Sequence, residues 1–510
     1  MMGIRLFYSY LRKLRYSDLV PTTTSASIPT ASEVIARLPW KWRTQGAIFL
    51  IGGLGFMFDA WDVALNGFLI PLLSDYWELS VGQAAWIATA NLIGMALGAF
   101  IWGGIADVIG RKKAFTLTLL VFSIFTIAGA FSPAFGWFIL FRFLAGFGLG
   151  GCIPVDYALV GEFTPSRHRG RVLTAMDGWW PIGASLCAFV SAALLGVGDW
   201  RLIMLVMIVP ALLTVAVRFG IPESPLYLAS VGRYAEADAI IAKLVERTGA
   251  EVTEWTHDVP ASATKVIPSS SPPAAASVTA SSSVTASSSS KTPVTATSVN
   301  KQLRAASGQL VQLWQYSAKT TIVAWALFVS VLLVYYAALT WLPGIMKKQG
   351  LGDQAAFLVT GSMTAVGILG VVISALLVER FGRKWVLGVT SILSAVLLVG
   401  AGMFIEASGA ELTFAAKATI IGFGFVVQIA IPALYTYVSE LYPTRLRGSG
   451  FGWASAASRI ATGIAPIVFG AFMWPVLGLT LTFALTGLLV VAAVVLMGLL
   501  VRDTTGAELN

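Results

Sequence analysis

Apolar runs of about twenty residues, the length that spans a bilayer as a helix, alternate with short polar loops through most of this chain. The pattern predicts an all-α membrane protein with twelve transmembrane helices. Their expected ranges are 46–73, 84–106, 114–131, 137–160, 172–196, 201–220, 319–342, 355–378, 385–405, 413–438, 450–472 and 476–501.

Two polar motifs interrupt the apolar pattern once in each half of the chain. The segment 107–112 (DVIGRK) returns at 379–384 (ERFGRK), an offset of 383 − 111 = 272. The segment 162–170 (EFTPSRHRG) returns at 440–448 (ELYPTRLRG), an offset of 440 − 162 = 278. Two motifs at nearly one offset indicate duplicated six-helix bundles related by pseudo-symmetry. Such repeats place a binding site between the halves, near the middle of the bilayer.

The polar stretches divide the chain further. Residues 233–247 predict an amphipathic helix, and Ser32 with Glu33 predicts a short capped helix before the first span. Residues 260–300 are dominated by Ser, Thr, Ala, Pro and Val and predict a disordered linker. The expected domains are a cytoplasmic tail 1–45, a bundle 46–220, a cytoplasmic loop 221–318, a bundle 319–501 and a cytoplasmic tail 502–510.

Composition agrees with a membrane protein. The chain is 57% hydrophobic, its mean hydropathy is +0.80 and only 12% of its residues are charged, against about 25% charged in soluble domains. The net charge of +9 is concentrated in loops on one side of the predicted spans, and Lys347 and Lys348 are the main exceptions. Basic loops remain in the cytoplasm, so we expect both termini there. We also expect a monomeric protein of the cell (inner) membrane. Nucleic acid is not an expected partner.

Several other classes of site are disfavoured. Cys152 and Cys187 lie in apolar runs, and His168 and His257 lie far apart in polar segments, so we expect neither disulfides nor a metal or cofactor site. The glycine run 146–151 imitates a nucleotide loop but lies inside a predicted span without a preceding strand, which favours helix packing. The chain shows no nucleophile–base set or phosphate loop, so we do not expect an enzyme.

The motifs also resemble a known family. GGIADVIGRKKA at 103–114 resembles the loop signature of the major facilitator superfamily, and the segment 141–171 resembles the fourth-helix signature of its sugar-porter-like branch. PESPLYL at 222–228 is similar to a third motif of that branch. The resemblance covers most of residues 46–501. It implies a transporter in which two helix bundles alternate between outward- and inward-facing states.

The repeated motifs supply charged residues at the cytoplasmic helix ends. Their spacing allows Asp107 to pair with Arg111 or a neighbouring helix end, and Glu162 and Glu440 to pair with the arginines seven residues on. The resemblance implies that such pairs form a gate that sets the balance between the two states. The expected gate residues are Asp107, Gly110, Arg111, Glu162, Arg169, Glu379, Gly382, Arg383, Glu440 and Arg447.

Ionisable residues inside the spans are candidates for ion coupling, because a charge near the bilayer centre costs at least about 2.5–3.5 kcal/mol. Asp59 and Asp62 lie three residues apart on one helix face, where two carboxylates cannot both ionise cheaply. We therefore expect a proton as the coupling ion and Asp59 as its carrier. The candidate proton-coupling residues are Asp59, Asp62, Asp156 and Asp177.

Two further resemblances concern the substrate. Residues 59–62 (DAWD) resemble a helix-1 signature of aromatic-acid–proton symporters, and residues 148–162 resemble niacin-transporter and synaptic-vesicle-protein-like members. They imply a small organic substrate, often a carboxylate. Arg459 is the basic residue well inside a second-half span, and a guanidinium can hold a carboxylate through two hydrogen bonds. The candidate substrate contacts are Arg142, Arg459, Asn91, Trp180, Gln428 and Tyr435.

Three transport functions compete at this point. The first is proton-coupled uptake of a small organic acid, such as an aromatic or niacin-like carboxylate. The second is a sugar or polyol symporter, which would need more amide side chains than the spans contain, and the third is an efflux antiporter for drugs or metabolites. A membrane sensor would require a folded output domain, whereas the soluble insert is mainly low-complexity. The expected partners are the substrate, a proton and the lipid bilayer.

Overall fold

The computed structural model describes residues 28–257, 296–408 and 411–501. Most of the predicted linker at 260–300, most of the N-terminal tail and the C-terminal tail lie outside these residues. The described part is helical, and its backbone pairing beyond helices and turns is a single parallel bridge between Thr30 and Thr256. Helices that precede the linker form the first half, and those that follow it form the second half.

The first half begins with a short helix outside the predicted spans and continues with the membrane helices. They are α1 Ala31–Arg37, α2 Ala47–Tyr76, α3 Val81–Ile109, α4 Arg111–Ala130, α5 Phe135–Gly150, α6 Cys152–Phe163, α7 Ser166–Met176, α8 Trp179–Leu195, α9 Trp200–Leu205 and α10 Ile208–Gly220. A π-helical turn, Trp42–Gly46, leads into α2. Two helices, α11 Pro225–Ser230 and α12 Tyr234–Thr248, follow this half.

The second half repeats the pattern with longer helices. They are α13 Ala296–Lys348, α14 Asp353–Phe381, α15 Arg383–Glu406, α16 Phe414–Glu440, α17 Thr444–Ile467 and α18 Trp474–Leu500. A π-helical segment, Val468–Met473, joins the last two. Ser317 interrupts α13 with extended backbone, so the membrane part of α13 follows this kink.

Ten helices among the described residues are long and apolar enough to cross a membrane. One of them, Leu446–Leu500, has 55 residues and turns at Gly478, where φ is +76°, so it supplies two crossings. The pair α9 and α10 supplies the remaining crossing, and the prediction of twelve transmembrane helices is confirmed. The predicted fourth, fifth and sixth spans are each divided into two helices, because their backbones bend at Gly151, Asp177–Gly178 and Val206–Met207.

Glycines allow α3 and α5 to pack with their backbones in contact. A Cβ atom on Gly146 would lie 2.0 Å from the Asn91 carbonyl oxygen, and one on Gly94 would lie 2.1 Å from that of Phe143. Only glycine fits at such a crossing. The glycine run at 146–151 therefore serves helix packing, as predicted, and it brings Asn91 next to Arg142.

Both predicted helices outside the membrane are present. The capping residue of α1 is Thr30, whose side chain accepts from the Glu33 amide, and not Ser32 as predicted. The helix α12 begins at Tyr234 and buries Ala237, Ile241 and Leu244, the apolar face that the sequence indicates.

The two halves meet along three pairs of helices: α2 with α13, α3 with α17, and α8 with α14. Chain direction places the repeated motifs at one end of the bundle, which we call the basic face; it carries Arg111, Glu162, Arg383 and Glu440. The other end, the opposite face, carries the ends of α2 and α13 and the start of α14. Close contacts between the halves, such as Gly67 with the Leu339 backbone and Gly361 with Phe189, lie toward the opposite face.

Candidate functional site

A buried ion pair joins α2 and α5 in the first half. The Arg142 Nη1 donates to Asp62 Oδ1 at 2.9 Å and Nη2 donates to Asp62 Oδ2 at 3.1 Å, and neither side chain is exposed. Arg142 also donates to Asn66 Oδ1 at 2.7 Å. Because the guanidinium forks onto one carboxylate, this pair is held in a single geometry.

Two neighbouring helices complete the surroundings of Asp62. Asn91 on α3 donates to Asp62 Oδ2 at 3.1 Å, and Thr126 on α4 donates to Oδ1 at 3.1 Å. Asn66 in turn donates to Asn91 Oδ1 at 3.0 Å. Asp62, Arg142 and Asn91 thus bind one another, so the structure gives the predicted substrate contacts Arg142 and Asn91 an internal partner within one half.

Asp59 and Asp156 have a different environment. Both side chains are fully buried, and within the described residues none of their four carboxylate oxygens has a hydrogen-bond partner. The two carboxylates lie close enough for their charges to interact. An ionised carboxylate in such a place is expensive, and binding a proton or facing a cation relieves the cost. The charges of both Asp62 and Asp156 interact with that of Asp59. Asp62 is neutralised by Arg142, whereas neither Asp156 oxygen has a hydrogen-bond partner among the described residues.

Arg459 brings a positive charge to this place from the second half. It lies on α17, is partly exposed, and its charge acts on Asp59 across the interface of the halves. It also acts on the hydroxyl groups of Tyr336 and Tyr435. The structure thus places Arg459 opposite Asp59, where a ligand between the halves would meet both.

Aromatic side chains surround these charges. Phe56 packs on Tyr157 at 5.6 Å and on Trp180 at 5.5 Å between ring centroids. Trp180 then reaches the second half: its ring lies 5.9 Å from Tyr336, and its Nε1 donates to the Tyr335 hydroxyl at 3.1 Å. Aromatic rings from both halves therefore face each other in the middle of the membrane.

Two predicted residues border this aromatic group. Asp177 lies at the bend between α7 and α8 and accepts a 2.5 Å hydrogen bond from the Tyr157 hydroxyl. Gln428 on α16 is 3% exposed and approaches Tyr335. We call the whole set the central cluster: Phe56, Asp59, Asp156, Tyr157, Asp177, Trp180, Tyr335, Tyr336, Gln428, Tyr435 and Arg459.

Four members of the central cluster were not among the candidate site residues predicted from the sequence: Phe56, Tyr157, Tyr335 and Tyr336. A signal for the last two was present. Tyr335 and Tyr336 stand at the repeat positions of Val63 and Ala64 on the helix that carries Asp59 and Asp62, given the offset of 272. Tyr157 is adjacent to Asp156, but the direction of its side chain depends on the break between α5 and α6, which the sequence did not reveal.

Among the described residues, an ion pair joins the gate motifs in each half. Arg111 Nε lies 3.3 Å from Glu162 Oε1, and Arg383 Nε lies 3.1 Å from Glu440 Oε2. These pairs link neighbouring helix ends and occupy equivalent repeat positions. Each glutamate therefore contacts the arginine of the other motif in its own half. The predicted pairing of Glu162 with Arg169 is replaced by a hydrogen bond that Arg169 donates to the Thr164 carbonyl oxygen.

The remaining gate residues are placed as follows. Gly110 and Gly382 have φ of +100° and +84°, a conformation that favours glycine, and each joins two membrane helices. Arg447 is partly buried and Glu379 is exposed, both at helix ends of the basic face. The Asp107 side chain lies outside what the structure describes.

One apolar pocket of about 460 Å³ lies away from the central cluster. Residues of α13, α17 and α18 line it, among them Leu333, Ala337 and Ile464, and it contains no ionisable side chain. Ile464 and other lining residues are exposed on the outside of the bundle, where lipid would lie. We therefore assign this pocket no role in transport.

Comparison with known proteins bears directly on this arrangement. The model of the family "Sugar (and other) transporter" matches residues 47–510. The chain belongs to this transporter family. The niacin transporter NiaP of Acinetobacter baylyi is 31% identical over 90% of this chain and 94% of its own length. The gallate transporter of Pseudomonas putida is 27% identical over 89% of this chain and 90% of its own.

A solved structure agrees with the fold. The xylose transporter XylE of E. coli superposes with a TM-score of 0.68 at 17% identity, covering 91% of this chain and 99% of its own. The match to the transporter family makes this protein a multi-pass membrane transporter of the major facilitator superfamily and not an enzyme, as the motifs predicted. The resemblance to the sugar-porter-like branch and to niacin and aromatic-acid transporters is confirmed as well.

Proposed function

We propose that the protein couples proton movement to the uptake of a small aromatic carboxylate. The observation that carries the proposal is the meeting of Arg459 from the second half with the buried carboxylates Asp59 and Asp156 of the first half, inside a ring of aromatic side chains. A carrier needs a site that both halves share and that binds its substrate and its coupling ion in one place. The central cluster has both features.

The substrate class follows from the side chains. Trp180, Tyr335 and Tyr336 offer faces and edges for an aromatic ring, an interaction worth about 0.5–1.5 kcal/mol per ring pair beyond burial. Arg459 offers a planar fork for a carboxylate. The names of two relatives, a niacin transporter and a gallate transporter, are consistent with a ring that carries an acid group.

Coupling follows from competition for Arg459. Without substrate, the guanidinium charge of Arg459 faces Asp59 across the interface of the halves. A substrate carboxylate that binds Arg459 neutralises this charge, so Asp59 is left buried among acids and takes up a proton. Substrate and proton then bind together, and the gradient of one drives the other.

We propose the orientation from the loops. The basic face carries Arg111, Arg169, Arg383 and Arg447, and loops rich in Lys and Arg stay in the cytoplasm. The first membrane helix begins and the last one ends on the basic face, so the tails 1–45 and 502–510 are cytoplasmic. Residues 46–220 and 319–501 are the two bodies that rock, with the segment between them as a cytoplasmic tether, and the protein acts as a monomer in the inner membrane.

A sugar is a poorer fit to this site. Hydroxyl-rich substrates require many amide partners, and Asn66 and Asn91 are already engaged with Arg142 and Asp62. Gln428 remains as the amide of the central cluster. Uptake of a pentose or hexose by this chain is therefore not expected.

The direct test is an uptake screen in proteoliposomes. Purified protein would be offered labelled nicotinate, benzoate, gallate, xylose and an organic cation, with and without an inward proton gradient. We expect accumulation of at least one aromatic carboxylate that collapses with a protonophore. Gradient-driven uptake of xylose alone, or expulsion of the cation, would contradict the proposal.

A further inference from the structure

Lys347 departs from the charge pattern of the chain, because it lies on the face opposite to the basic loops. It stands near the end of α13, in the second half. Its Nζ donates to Asp75 Oδ2 at 2.6 Å, to Asp353 Oδ2 at 2.9 Å and to the Pro71 carbonyl oxygen at 3.3 Å. Pro71 and Asp75 belong to α2, so one ammonium group bonds both halves of the molecule.

Asp75 and Lys347 are equivalent positions of the internal repeat. They are 272 residues apart, the same offset that separates Arg111 from Arg383. A contact between equivalent positions arises where a two-fold axis passes between them. The pseudo-two-fold axis of the two halves therefore runs through this ion pair.

A second contact supports the position of the axis. Gly67 and Leu339 are also 339 − 67 = 272 residues apart, and a Cβ atom on Gly67 would lie 2.3 Å from the Leu339 carbonyl oxygen. Pro71 lies four residues after Gly67, and Pro343 lies four residues after Leu339, so the two prolines are equivalent positions as well. Proline lacks an N–H group, so the backbone carbonyl groups of Gly67 and Leu339 have no helical hydrogen-bond donor at the point where the helices cross.

Opposite charges on the axis are informative. Identical residues at two equivalent positions would carry like charges and repel each other wherever the halves close. This chain has an acid at one position and a base at the other. The lysine is further held by Asp353 in the first turn of α14, within its own half.

We propose that Asp75, Lys347 and Asp353 form an axial latch that closes the opposite face and must break each time that face opens. The inter-half bonds of Lys347 can exist only while the ends of α2 and α13 touch. They therefore stabilise the state open to the basic face and leave the other state unchanged. The side chains of Lys347, Asp75 and Asp353 are 24%, 68% and 26% exposed, so the latch is partly hydrated and shifts the balance without locking it.

Lys348 provides a matched control. Its Nζ lies 4.5 Å from the ring centroid of Trp474, which belongs to the same half. Removing Lys348 takes away the same charge from the same face, yet it breaks no bond between the halves. A difference between the two variants therefore reports the latch and not the general charge of this face.

The test measures the two faces by electron–electron distances between spin labels. One pair, at Val197 and Phe414, reports the opposite face. These residues are 81% and 86% exposed, Val197 in a loop of the first half and Phe414 at the start of α16 in the second half. A second pair, at Arg167 and Phe381, reports the basic face. The background carries Cys152→Ala and Cys187→Ala, and the protein is studied in nanodiscs without substrate.

We expect Lys347→Ala and Asp75→Ala to lengthen the Val197–Phe414 distance and shorten the Arg167–Phe381 distance. The population ratio should move by up to about fivefold, the range for partly exposed ion pairs. Lys348→Ala should match the parent. The exchanged pair Asp75→Lys with Lys347→Asp is made together with Asp353→Asn, so that the new aspartate does not meet a second carboxylate. It should return toward the parent if the variant is folded, because it restores the bond across the axis.

Unchanged distributions in Lys347→Ala, or equal shifts in Lys347→Ala and Lys348→Ala, would overturn the latch. Thermal unfolding of each variant identifies any loss of folding. If the exchanged variant is folded but does not recover the parent distance distribution, the latch is also overturned. The measurement needs no substrate and no proton gradient. Its outcome is therefore independent of whether the protein takes up aromatic carboxylates.

Discussion

Asp62 and Arg142 form a fully buried ion pair, with Arg142 Nη1 2.9 Å from Asp62 Oδ1. Three other side chains, Asn66, Asn91 and Thr126, complete the hydrogen bonds of the pair from α2, α3 and α4. The pair ties the first half together and separates the roles of the two aspartates on α2. Asp62 is held inside one bundle, whereas Asp59 is left without a partner beside Asp156 and opposite Arg459.

The first prediction concerns the stability of this pair. Asp62→Asn leaves the Arg142 charge buried without its counter-charge, and breaking a buried pair costs about 3–5 kcal/mol. We expect a lower midpoint of thermal unfolding in detergent. The double variant Asp62→Leu with Arg142→Met should recover part of the loss, since no charge remains. A single variant as stable as the parent would contradict the structural role.

The second prediction concerns Asp59 as the proton carrier. Asp59→Asn cannot take up a proton, so it should abolish gradient-driven accumulation but retain exchange of labelled for unlabelled substrate across liposome membranes. Asp199→Asn is the control, because Asp199 lies in an exposed loop and pairs with Arg201. Normal accumulation by Asp59→Asn would show that the proton is carried elsewhere, with Asp156 as the next candidate.

The third prediction concerns Arg459. Lysine keeps the positive charge but loses the planar fork that can hold both oxygens of a carboxylate. Arg459→Lys should weaken binding of nicotinate by about tenfold, or 1.4 kcal/mol, while binding of nicotinamide, its neutral analogue, changes little. Competition against a labelled substrate measures both constants. Equal losses for the acid and the amide would mean that Arg459 has a structural role.

The fourth prediction concerns the gate. Glu162→Gln removes the charge that holds Arg111, and Glu440→Gln does the same to Arg383 at the equivalent position. Each should slow exchange by up to about fivefold, the range for partly exposed pairs, with little change in substrate affinity. Glu236→Gln, which breaks an exposed pair on α12, serves as control. A weaker affinity at normal turnover would indicate binding and not gating.

The fifth prediction concerns the loop glycine of the first motif. Gly110 has φ of +100°, and a Cβ atom there would lie 2.3 Å from Glu223 Oε2. Gly110→Ala should destabilise the protein by about 1–3 kcal/mol through backbone strain and this clash. Gly103→Ala is the control, because no described heavy atom outside the backbone of its own helix turn lies within 4 Å of the added methyl group. Thermal unfolding of the two variants should separate them clearly.

Much of the fold followed from local pattern. A bilayer imposes a fixed length on each apolar run, so hydropathy located the ends of the membrane helices to within about six residues. It did not show where helices break, as at Gly151 and Asp177, because an apolar run continues unchanged through a bend. The repeat offset indicated two related halves, and the same offset identifies Asp75 and Lys347 as equivalent positions.

The pairing of the buried charges was decided by tertiary structure alone. Asp59 and Asp62 are three residues apart, so their side chains differ by about 60° around the helix axis. That angle directs one carboxylate into its own bundle and the other toward the facing half, and the choice depends on how α3 and α5 pack. Glycines at positions 94 and 146 permit that packing. The sequence by itself determined that charges lie in the membrane; only the folded bundles determined which of them neutralise each other and which remain for substrate and proton.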